Sequence, residues 1–334
     1  MIWLEFSACA IVIFLAGSQL SKHADIIAER TGLGREWIGL VLLATITSLP
    51  DLFTGVSAVT LHDLPDMAVS GIIGSCMFNM LIIAMLDLVS KKEPVSHVVH
   101  QGHMISAGFG IILMGFAAMD ILFGRHLPVL TFLNRIDPLS IVFIVVYLLS
   151  MKLIYSYERH RIKEFAGTVG TTPGEPKPPL RKSVILFVVS SVIIVAAACL
   201  LPGLGEQIAS MTGWGESFIG SSFIAISTSL PELSVSYTCA RRGSFDMAVA
   251  NLLGSNLFNI AILAILDFCY VKQPLLRAVS PVNTISALAA MITMSITVVG
   301  LTYRSEKKYW HLGGDAIAIL LVYILANVLL FIAH

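Results

Sequence analysis

The stretch Thr47-Ser48-Leu49-Pro50-Asp51 lies inside an apolar run and recurs as Thr228-Ser229-Leu230-Pro231-Glu232. Each copy combines a carboxylate, two hydroxyls and a proline, which removes a backbone hydrogen-bond donor from a helix. Ionisable side chains inside membrane helices are rare and costly, so they usually mark a functional site. We therefore predict one polar site for cations near the bilayer midplane, formed by two copies of one unit.

The composition of the chain indicates a polytopic membrane protein. Of its 334 residues, 56% are hydrophobic and only 13% are charged, which is too apolar for a soluble domain. The formal net charge is zero, so no overall field favours nucleic acid as a partner. The cysteines lack CxxC spacing, and we expect buried thiols rather than a disulfide framework or a zinc site. They are Cys9, Cys76, Cys199, Cys239 and Cys269.

Ten apolar runs are long enough to cross a membrane as helices, since a span needs roughly 20 residues. We expect the first to be a retained helix rather than a signal peptide, because no basic segment precedes Ile2. The polar segment 159–182 contains four prolines and indicates a linker between a first repeat, 1–158, and a second repeat, 183–334. The predicted spans are 2–29, 35–61, 65–90, 97–120, 137–157, 183–210, 215–241, 245–269, 279–301 and 312–333.

Lysine and arginine are unevenly distributed between the predicted loops. Sixteen lie in the loops that follow odd-numbered spans, and four lie in the loops that follow even-numbered spans. Positive residues accumulate on the cytoplasmic side of a membrane. We therefore predict that both termini lie outside and that the central linker is cytoplasmic, in a plasma or inner membrane.

The two halves of the chain repeat each other beyond the opening stretch. Asp66-Met67-Ala68-Val69 matches Asp246-Met247-Ala248-Val249, and Gly74-Ser75-Cys76-Met77-Phe78-Asn79 matches Gly254-Ser255-Asn256-Leu257-Phe258-Asn259. Such agreement indicates an internal repeat. The copies lie in the second and seventh predicted spans, which are five spans apart, so the copies cross the membrane in opposite directions. Inverted repeats build secondary transporters with the site at the repeat interface, although a channel can contain them as well.

The residue types of the repeated stretch suit calcium. Asp51 and Glu232 supply two negative charges, which match one divalent cation, and no lysine or arginine lies at the same depth. Calcium takes 6–8 oxygen ligands, whereas magnesium prefers a stiff octahedron. Without the ion the two carboxylates repel each other, so one can take a proton, or monovalent cations can occupy the site. Neutral oxygens are expected from Thr47, Ser48, Thr228, Ser229 and Asn251, and from carbonyls that the prolines free around Ala44 and Ala225.

The pattern Thr-Ser-Leu-Pro-Asp/Glu followed by Gly-Ser-x-x-x-Asn, present twice, resembles the cation/calcium antiporter superfamily, close to the compact prokaryotic sodium/calcium exchangers. The resemblance covers nearly the whole chain. It implies an all-α membrane protein of ten transmembrane helices in two inverted-topology five-helix repeats, with broken helices 2 and 7. It also implies a core of helices 2, 3, 7 and 8, past which gate helices 1 and 6 slide, and exchange of sodium or protons for calcium. By position it assigns ion-ligand roles to Thr47, Ser48, Asp51, Thr228, Ser229 and Glu232, with carbonyl help from Ala44 and Ala225.

This sequence departs from the family pattern in two places. The first stretch ends in Asp51 where the family has glutamate, and the third span has Ser70-Gly71 where the family has Gly-Asn. The second copy keeps Asn251 at that position, so one neutral oxygen is missing on the first-repeat side. The number of sodium sites, and the choice between sodium and proton as counter-ion, are therefore left open.

Polar residues near the repeated stretch have simpler interpretations. We expect Gly74, Ser75 and Ser255 to allow close packing of helices rather than to bind ions. Asn79 and Asn259 are expected to form hydrogen bonds between helices.

Other polar residues fall near the predicted helix ends. Asp66 and Asp246 lie at helix starts, where an acidic residue suits the helix dipole. His97, His100 and His103 are predicted to share one helical face at the start of the fourth span. We expect this face to lie at the membrane interface rather than to bind a transition metal.

Two rival classes of protein fit the sequence less well. An intramembrane enzyme is disfavoured because the chain has no HExxH or GxSxG motif and no histidine beside the serines. A cation channel would use the same carboxylates as a selectivity ring. We predict an antiporter that exchanges calcium for sodium by alternating access, with calcium/proton exchange as the alternative. It needs no cofactor, its partners are inorganic cations and the lipid bilayer, and no obligatory protein partner is evident.

Overall fold

The computed structural model describes residues 1–31, 44–90, 92–124, 137–165 and 179–333. The described residues form fifteen α-helices, two π-helical turns and one short β-hairpin. The helices are α1 (Ile2–Thr31), α2 (Ala44–Thr47), α3 (Leu49–Ser57), α4 (Pro65–Leu86), α5 (Val95–Val98), α6 (His103–Phe123), α7 (Pro138–Phe165), α8 (Leu180–Thr212), α9 (Glu216–Ile219), α10 (Ala225–Thr228), α11 (Leu230–Arg241), α12 (Phe245–Cys269), α13 (Leu275–Ala278), α14 (Asn283–Tyr303) and α15 (Gly314–Ile332). The π-helical turns are Ala58–His62 and Gly220–Ile224, and the hairpin pairs β1 (Lys308–Tyr309) with β2 (Leu312–Gly313).

The helices have the length and composition of membrane spans. Seven of those described are long and apolar enough to cross a bilayer. An eighth is obtained if Glu216–Thr228 and Leu230–Arg241, which are bent by 47°, form one span. Of the other two predicted spans, 35–61 lies partly outside the described residues, and α7 contributes a shorter apolar helix, Pro138–Ile154. The chain is therefore a helical membrane protein.

The structure corrects the predicted starts of two spans. The fourth span begins at His103 and not at residue 97, because Val95–Val98 forms a separate short helix that ends at extended Val99 (ψ 161°). The ninth span begins at Asn283 and not at residue 279, because the short helix Leu275–Ala278 likewise ends at extended Val279 (ψ 158°). Apolar composition alone does not reveal these breaks.

The predicted linker 159–182 is too wide. Helix α7 continues to Phe165, and α8 begins at Leu180 directly after Pro179, whose extended backbone (ψ 145°) caps the helix. A helix can carry charged residues beyond the apolar part that lies in lipid, so composition misplaced both ends. The middle of the predicted linker, 166–178, lies outside the described residues.

Two helices form the centre of the fold. In the apolar stretches of α4 and α12, 89% and 83% of the residues are buried. The corresponding share is 22–28% in α1, α8 and α15. A helix that is hydrophobic on all sides is expected to be buried on all sides. Helices α4 and α12 pack against each other, while α1 packs along α8 at the periphery. The central pair places the repeated Gly-Ser segments deep inside the protein.

Glycines let the second π-helical turn approach α4. A Cβ added at Gly74 would lie 2.5 Å from both Cα and the carbonyl oxygen of Ser221. A Cβ added at Gly220 would overlap the Ser70 hydroxyl and lie 2.8 Å from the Met67 carbonyl oxygen. Close helix packing in membranes depends on such small residues, and the prediction of close packing at Gly74 is confirmed.

Aspartates in matching positions of the two halves connect helix ends across the fold. Asp66 Oδ1 accepts hydrogen bonds from Ser280 N at 2.6 Å and Asn283 Nδ2 at 2.8 Å. Asp246 Oδ1 accepts from His100 N at 2.8 Å and contacts His103 Nε2 at 3.0 Å. An aspartate of each half therefore binds the other half at the start of a long helix.

The predicted common helical face of the three histidines is wrong. His97 belongs to α5 and its Nδ1 lies 2.9 Å from the Arg304 carbonyl oxygen, whereas His103 is the first residue of α6. The extended Val99 between them interrupts the helix, so the 3.6-residue periodicity does not continue through this segment.

We predict that Gly74→Ala lowers the stability of the protein by about 1–3 kcal/mol, because its Cβ would press on the Ser221 backbone, which cannot rotate away. Gly108→Ala is the matched control, since a Cβ there meets nothing within 4 Å. Thermal unfolding in detergent measures both variants. An equal melting temperature for Gly74→Ala and Gly108→Ala would contradict the close approach.

Candidate functional site

The two repeated stretches interrupt their helices in the same way. Helix α2 ends at Thr47 and α3 begins at Leu49, with Ser48 between them at φ −85° and ψ 6°. Ser229 separates α10 from α11 at φ −90° and ψ 7°. In both copies a proline is the second residue of the new helix, where its missing amide proton is tolerated. The carboxylate follows one residue later and points into the protein.

Each carboxylate is buried and bonded by the opposite copy. Glu232 is 0% exposed, its Oε1 accepts a hydrogen bond from Ser48 Oγ at 3.1 Å, and the Thr47 hydroxyl interacts with the same carboxylate. Asp51 is 2% exposed and accepts a hydrogen bond from the Thr228 hydroxyl. The structure therefore brings both carboxylates and the predicted hydroxyls Thr47, Ser48 and Thr228 together.

Asp51 has two further partners that the sequence analysis did not count as site residues. Ser75 Oγ donates to Asp51 Oδ1 at 2.8 Å, and Asn259 Nδ2 donates to Asp51 Oδ2 at 2.9 Å. Ser255 Oγ lies 3.4 Å from Thr47 Oγ1, in the position that matches Ser75. Ser255 and Asn259 are four residues apart and so share one face of α12. That spacing of two polar residues on one face of a mostly apolar helix was the available signal.

Oxygen atoms without partners surround the two carboxylates. Glu232 Oε2, Ser229 Oγ and Asn259 Oδ1 are buried and have no hydrogen-bond partner among the residues that the structure describes. Neither carboxylate has a basic partner in that part of the chain. Burying a charge without a partner costs several kcal/mol. The arrangement is a cage of acceptor oxygens with two negative charges, which is suited to a cation.

The expected freeing of the Ala44 and Ala225 carbonyls by proline is wrong. The Ala44 carbonyl accepts Ser48 N at 3.2 Å, and the Ala225 carbonyl accepts Ser229 N at 3.0 Å. A proline removes the amide proton that would bond four residues upstream, which is Ile46 for Pro50. The Ala44 carbonyl also lies 3.2 Å from Thr47 Oγ1, and the Ala225 carbonyl 3.2 Å from Thr228 Oγ1. Both carbonyls therefore border the site, although they are not freed by the prolines.

Asn251 lies at the edge of the site. Its Nδ2 donates to Ser236 Oγ at 3.2 Å, and its Oδ1 is buried with no partner among the described residues. Ser236 is one helical turn beyond Glu232, so Asn251 lies beside the continuation of α11 and not against a carboxylate. In the first half, the matching positions are Gly55 and Gly71. The two sides of the site therefore differ in polarity.

Helices α1 and α8 flank the interrupted helices. A Cβ added at Gly17 would lie 2.4 Å from Pro231 Cγ, so α1 passes directly over the second proline. The hydroxyls of Ser18 and Ser234 lie 2.8 Å apart. On the other side, Thr54 Oγ1 donates to the Ala198 carbonyl at 3.3 Å. That carbonyl has no amide partner four residues on, because residue 202 is a proline within α8.

Comparison with known proteins agrees with this architecture. The model of the family described as "Sodium/calcium exchanger protein" matches residues 1–156 and 182–332. The sodium/calcium exchanger MaX1 of Methanosarcina acetivorans is 25% identical, and the alignment covers 96% of both chains. The inner membrane protein YrbG of Escherichia coli is 26% identical over 75% of this chain and 74% of its own length.

Two kinds of solved structure share the fold. Native YfkE has a TM-score of 0.69 at 17% identity and covers 98% of this chain and 92% of its own. The sodium-calcium exchanger NCX_Mj, soaked with 10 mM Na⁺, has a TM-score of 0.63 at 20% identity, covering 98% and 99%. Fold and site thus define a membrane protein of the ion-exchanger class. The chain belongs to the sodium/calcium exchanger family, and the predicted resemblance to compact prokaryotic exchangers is confirmed.

We predict that Glu232→Gln raises the melting temperature of the protein in cation-free buffer. At alkaline pH, where both carboxylates are ionised, the substitution removes one of two buried charges but keeps an oxygen for the Ser48 hydrogen bond. Glu206→Gln, at an exposed position of α8, is the control and should leave the melting temperature unchanged. The measurement is thermal unfolding in choline chloride with a chelator. A lower melting temperature for Glu232→Gln would show that the protein already compensates the charge of Glu232, and would contradict the prediction.

Proposed function

We propose that the chain is a secondary active antiporter that exchanges calcium for sodium by alternating access at the Asp51–Glu232 site. One observation carries the proposal. Two carboxylates, each at most 2% exposed, share a cage of hydroxyl and amide groups, while Glu232 Oε2, Ser229 Oγ and Asn259 Oδ1 lack a partner among the described residues. A divalent cation would neutralise both charges and bind those oxygens.

The proposed ligand set contains the predicted residues and three more. Ser75, Ser255 and Asn259 join it because they touch Asp51 or Thr47 directly. Calcium accepts 6–8 oxygens in flexible geometry, so not every member needs to bind at once. The predicted members are Asp51, Glu232, Thr47, Ser48, Thr228, Ser229, Asn251 and the carbonyls of Ala44 and Ala225.

The proposed architecture is ten transmembrane helices in two inverted repeats, the first ending with α7 and the second beginning with α8, joined by a cytoplasmic linker. It is supported by contacts that occur twice with the halves exchanged. Asp66 binds Ser280 as Asp246 binds His100. Both termini lie outside the cell membrane in this arrangement, as the distribution of basic residues predicts.

The proposed motion is that of α1 and α8 over the interrupted helices. Both are peripheral, and the described hydroxyl contacts of α1 and α8 with α11 and α3 are few enough to exchange. The site itself is closed, since neither carboxylate is more than 2% exposed. A closed site favours alternating access over an open channel, in which the selectivity ring would face water.

Calcium/proton exchange is a second candidate because the two sides of the site differ in polarity. The second half has the amide and hydroxyl of Asn251 and Ser236 beside the site, where the first half has Gly71 and Gly55. A sodium ion on the side of Gly71 and Gly55 would therefore have one ligand fewer than a sodium ion on the side of Asn251 and Ser236. The aspartate and glutamate of the site can bind a proton instead.

The decisive experiment follows radioactive calcium uptake into liposomes, driven by an outward sodium gradient or an outward proton gradient. We expect uptake with the sodium gradient and none with equal sodium on both sides. Uptake driven by protons alone would replace the sodium assignment with calcium/proton exchange. Uptake that equilibrates without any counter-ion gradient, at a rate that does not depend on a counter-ion, would indicate a channel.

We predict that Glu232→Gln abolishes calcium uptake, because the remaining single carboxylate no longer matches a divalent charge. Asp63→Asn is the control, since Asp63 is an exposed partner of Lys272 at the protein surface. Initial rates at equal protein content in the liposomes compare the two. Normal uptake by Glu232→Gln would overturn the assignment of the site.

We predict that Ser75→Ala raises the calcium concentration for half-maximal uptake by about tenfold, which corresponds to ~1.4 kcal/mol for a lost bond that orients a charged ligand. The hydroxyl holds Asp51 Oδ1 at 2.8 Å. Ser227→Ala is the matched control, because the equally buried Ser227 hydroxyl bonds only to the Phe223 carbonyl of its own helix among the described residues. Equal half-saturation in the two variants would remove Ser75 from the site.

A further inference from the structure

A second pair of carboxylates lines a cavity away from the Asp51–Glu232 site. Asp87 caps the end of α4, and Asp315 lies in the first turn of α15. Together with Ser96 and Thr297 they border a cavity of about 10 Å³, which is room for one water-sized particle. None of these residues belongs to the proposed transport site.

The two carboxylates converge on one point. A Cβ built on Gly313 would lie 2.5 Å from Asp315 Oδ1 and 3.0 Å from Asp87 Oδ2. The two oxygens are therefore at most 5.5 Å apart. Gly300 allows this approach, since its own Cβ would lie 2.4 Å from Asp315 Oδ2.

The charges around the cavity do not balance. Asp87 accepts hydrogen bonds from Val95 N at 2.6 Å and Gly313 N at 2.5 Å, which are neutral donors. Lys308 Nζ donates to the backbone carbonyls of Asp87 and Ser90, at 2.6 and 2.7 Å. Among the residues that the structure describes here, two carboxylates and one ammonium leave one negative charge. Burial raises the pKa of Asp87 despite its hydrogen bonds and Lys308, and the nearby Asp315 adds to the effect.

An unpartnered hydroxyl lines the same cavity. Ser96 is 7% exposed, and its Oγ has no hydrogen-bond partner among the residues that the structure describes. Burying a hydroxyl without a hydrogen-bond partner lowers the stability of the folded state by about 1–3 kcal/mol. The oxygen is available to a ligand that also touches the carboxylates.

We propose that Asp87, Asp315 and Ser96 bind one monovalent cation, with sodium as the ligand to test, outside the path of transport. The single uncompensated charge fits a monovalent ion, and the three oxygens fit a small one. Bound there, the ion connects the end of α4 and the short helix α5 to the start of α15. It thereby stabilises the end of the central helix without taking part in exchange.

The test measures sodium-dependent thermal stability of the full chain in which Asp51→Asn and Glu232→Gln have removed the charges of the transport site. A ligand that binds only the folded state raises the melting temperature with its concentration. Sodium chloride is compared with choline chloride at equal ionic strength. We expect a sodium-specific rise that remains in this background.

Adding Asp315→Asn should raise the sodium concentration for the half-maximal effect by about tenfold or more, and Ser96→Ala by a smaller factor. Adding Asp63→Asn, an exposed acid elsewhere, should change nothing. A sodium response that is the same with and without the Asp315 carboxylate and the Ser96 hydroxyl would leave water as the occupant and overturn the proposal.

Discussion

The mutual approach of two buried carboxylates, Asp51 and Glu232, is the constraint on which the rest of the structure depends. Placing both in an apolar interior costs free energy unless polar groups or a cation compensate their charge. Hydroxyls from the opposite copy of the motif supply part of that compensation, at Ser48 for Glu232 and at Thr228 for Asp51. The unpartnered oxygens around them leave the remainder to an ion.

The crossed pairing explains why the fold needs two copies of one unit. Neither stretch satisfies its own carboxylate, so the halves must interlock at the centre. The same exchange of partners occurs at the helix ends, where Asp87 binds the start of α15 and Asp267 Oδ2 accepts from Asp137 N at 2.8 Å, just before α7. Close packing at Gly74 brings the layers near enough for these bonds. Stability and the proposed ion binding therefore depend on the same interlocked arrangement.

Much of this was predictable from sequence, because membrane spans and repeats leave strong patterns. The helical membrane fold, the family and the meeting of Asp51 with Glu232 and the Thr-Ser hydroxyls followed from apolar length and from the repeated motif. The interhelical hydrogen bond predicted for Asn259 is confirmed by its bond to Asp51. The place of Ser75 and Asn259 at the site was not predicted, since small and amide residues in a buried helix serve packing as often as binding. The breaks at Val99 and Val279 were missed, although Gly102 and Pro281 follow them within three residues and are residue types that often interrupt helices. The freed carbonyls were misplaced by counting from the motif instead of four residues back from Pro50.

We propose that one divalent cation bridges the two carboxylates. Anomalous diffraction from crystals soaked with Sr²⁺, a heavier stand-in for calcium, tests this bridging. We expect a single strong peak between Asp51 and Glu232, within roughly 2.3–2.8 Å of oxygens from both side chains, as expected for a large divalent ion. A peak bound by only one carboxylate, or no peak in this cage under conditions where the protein transports calcium, would contradict it.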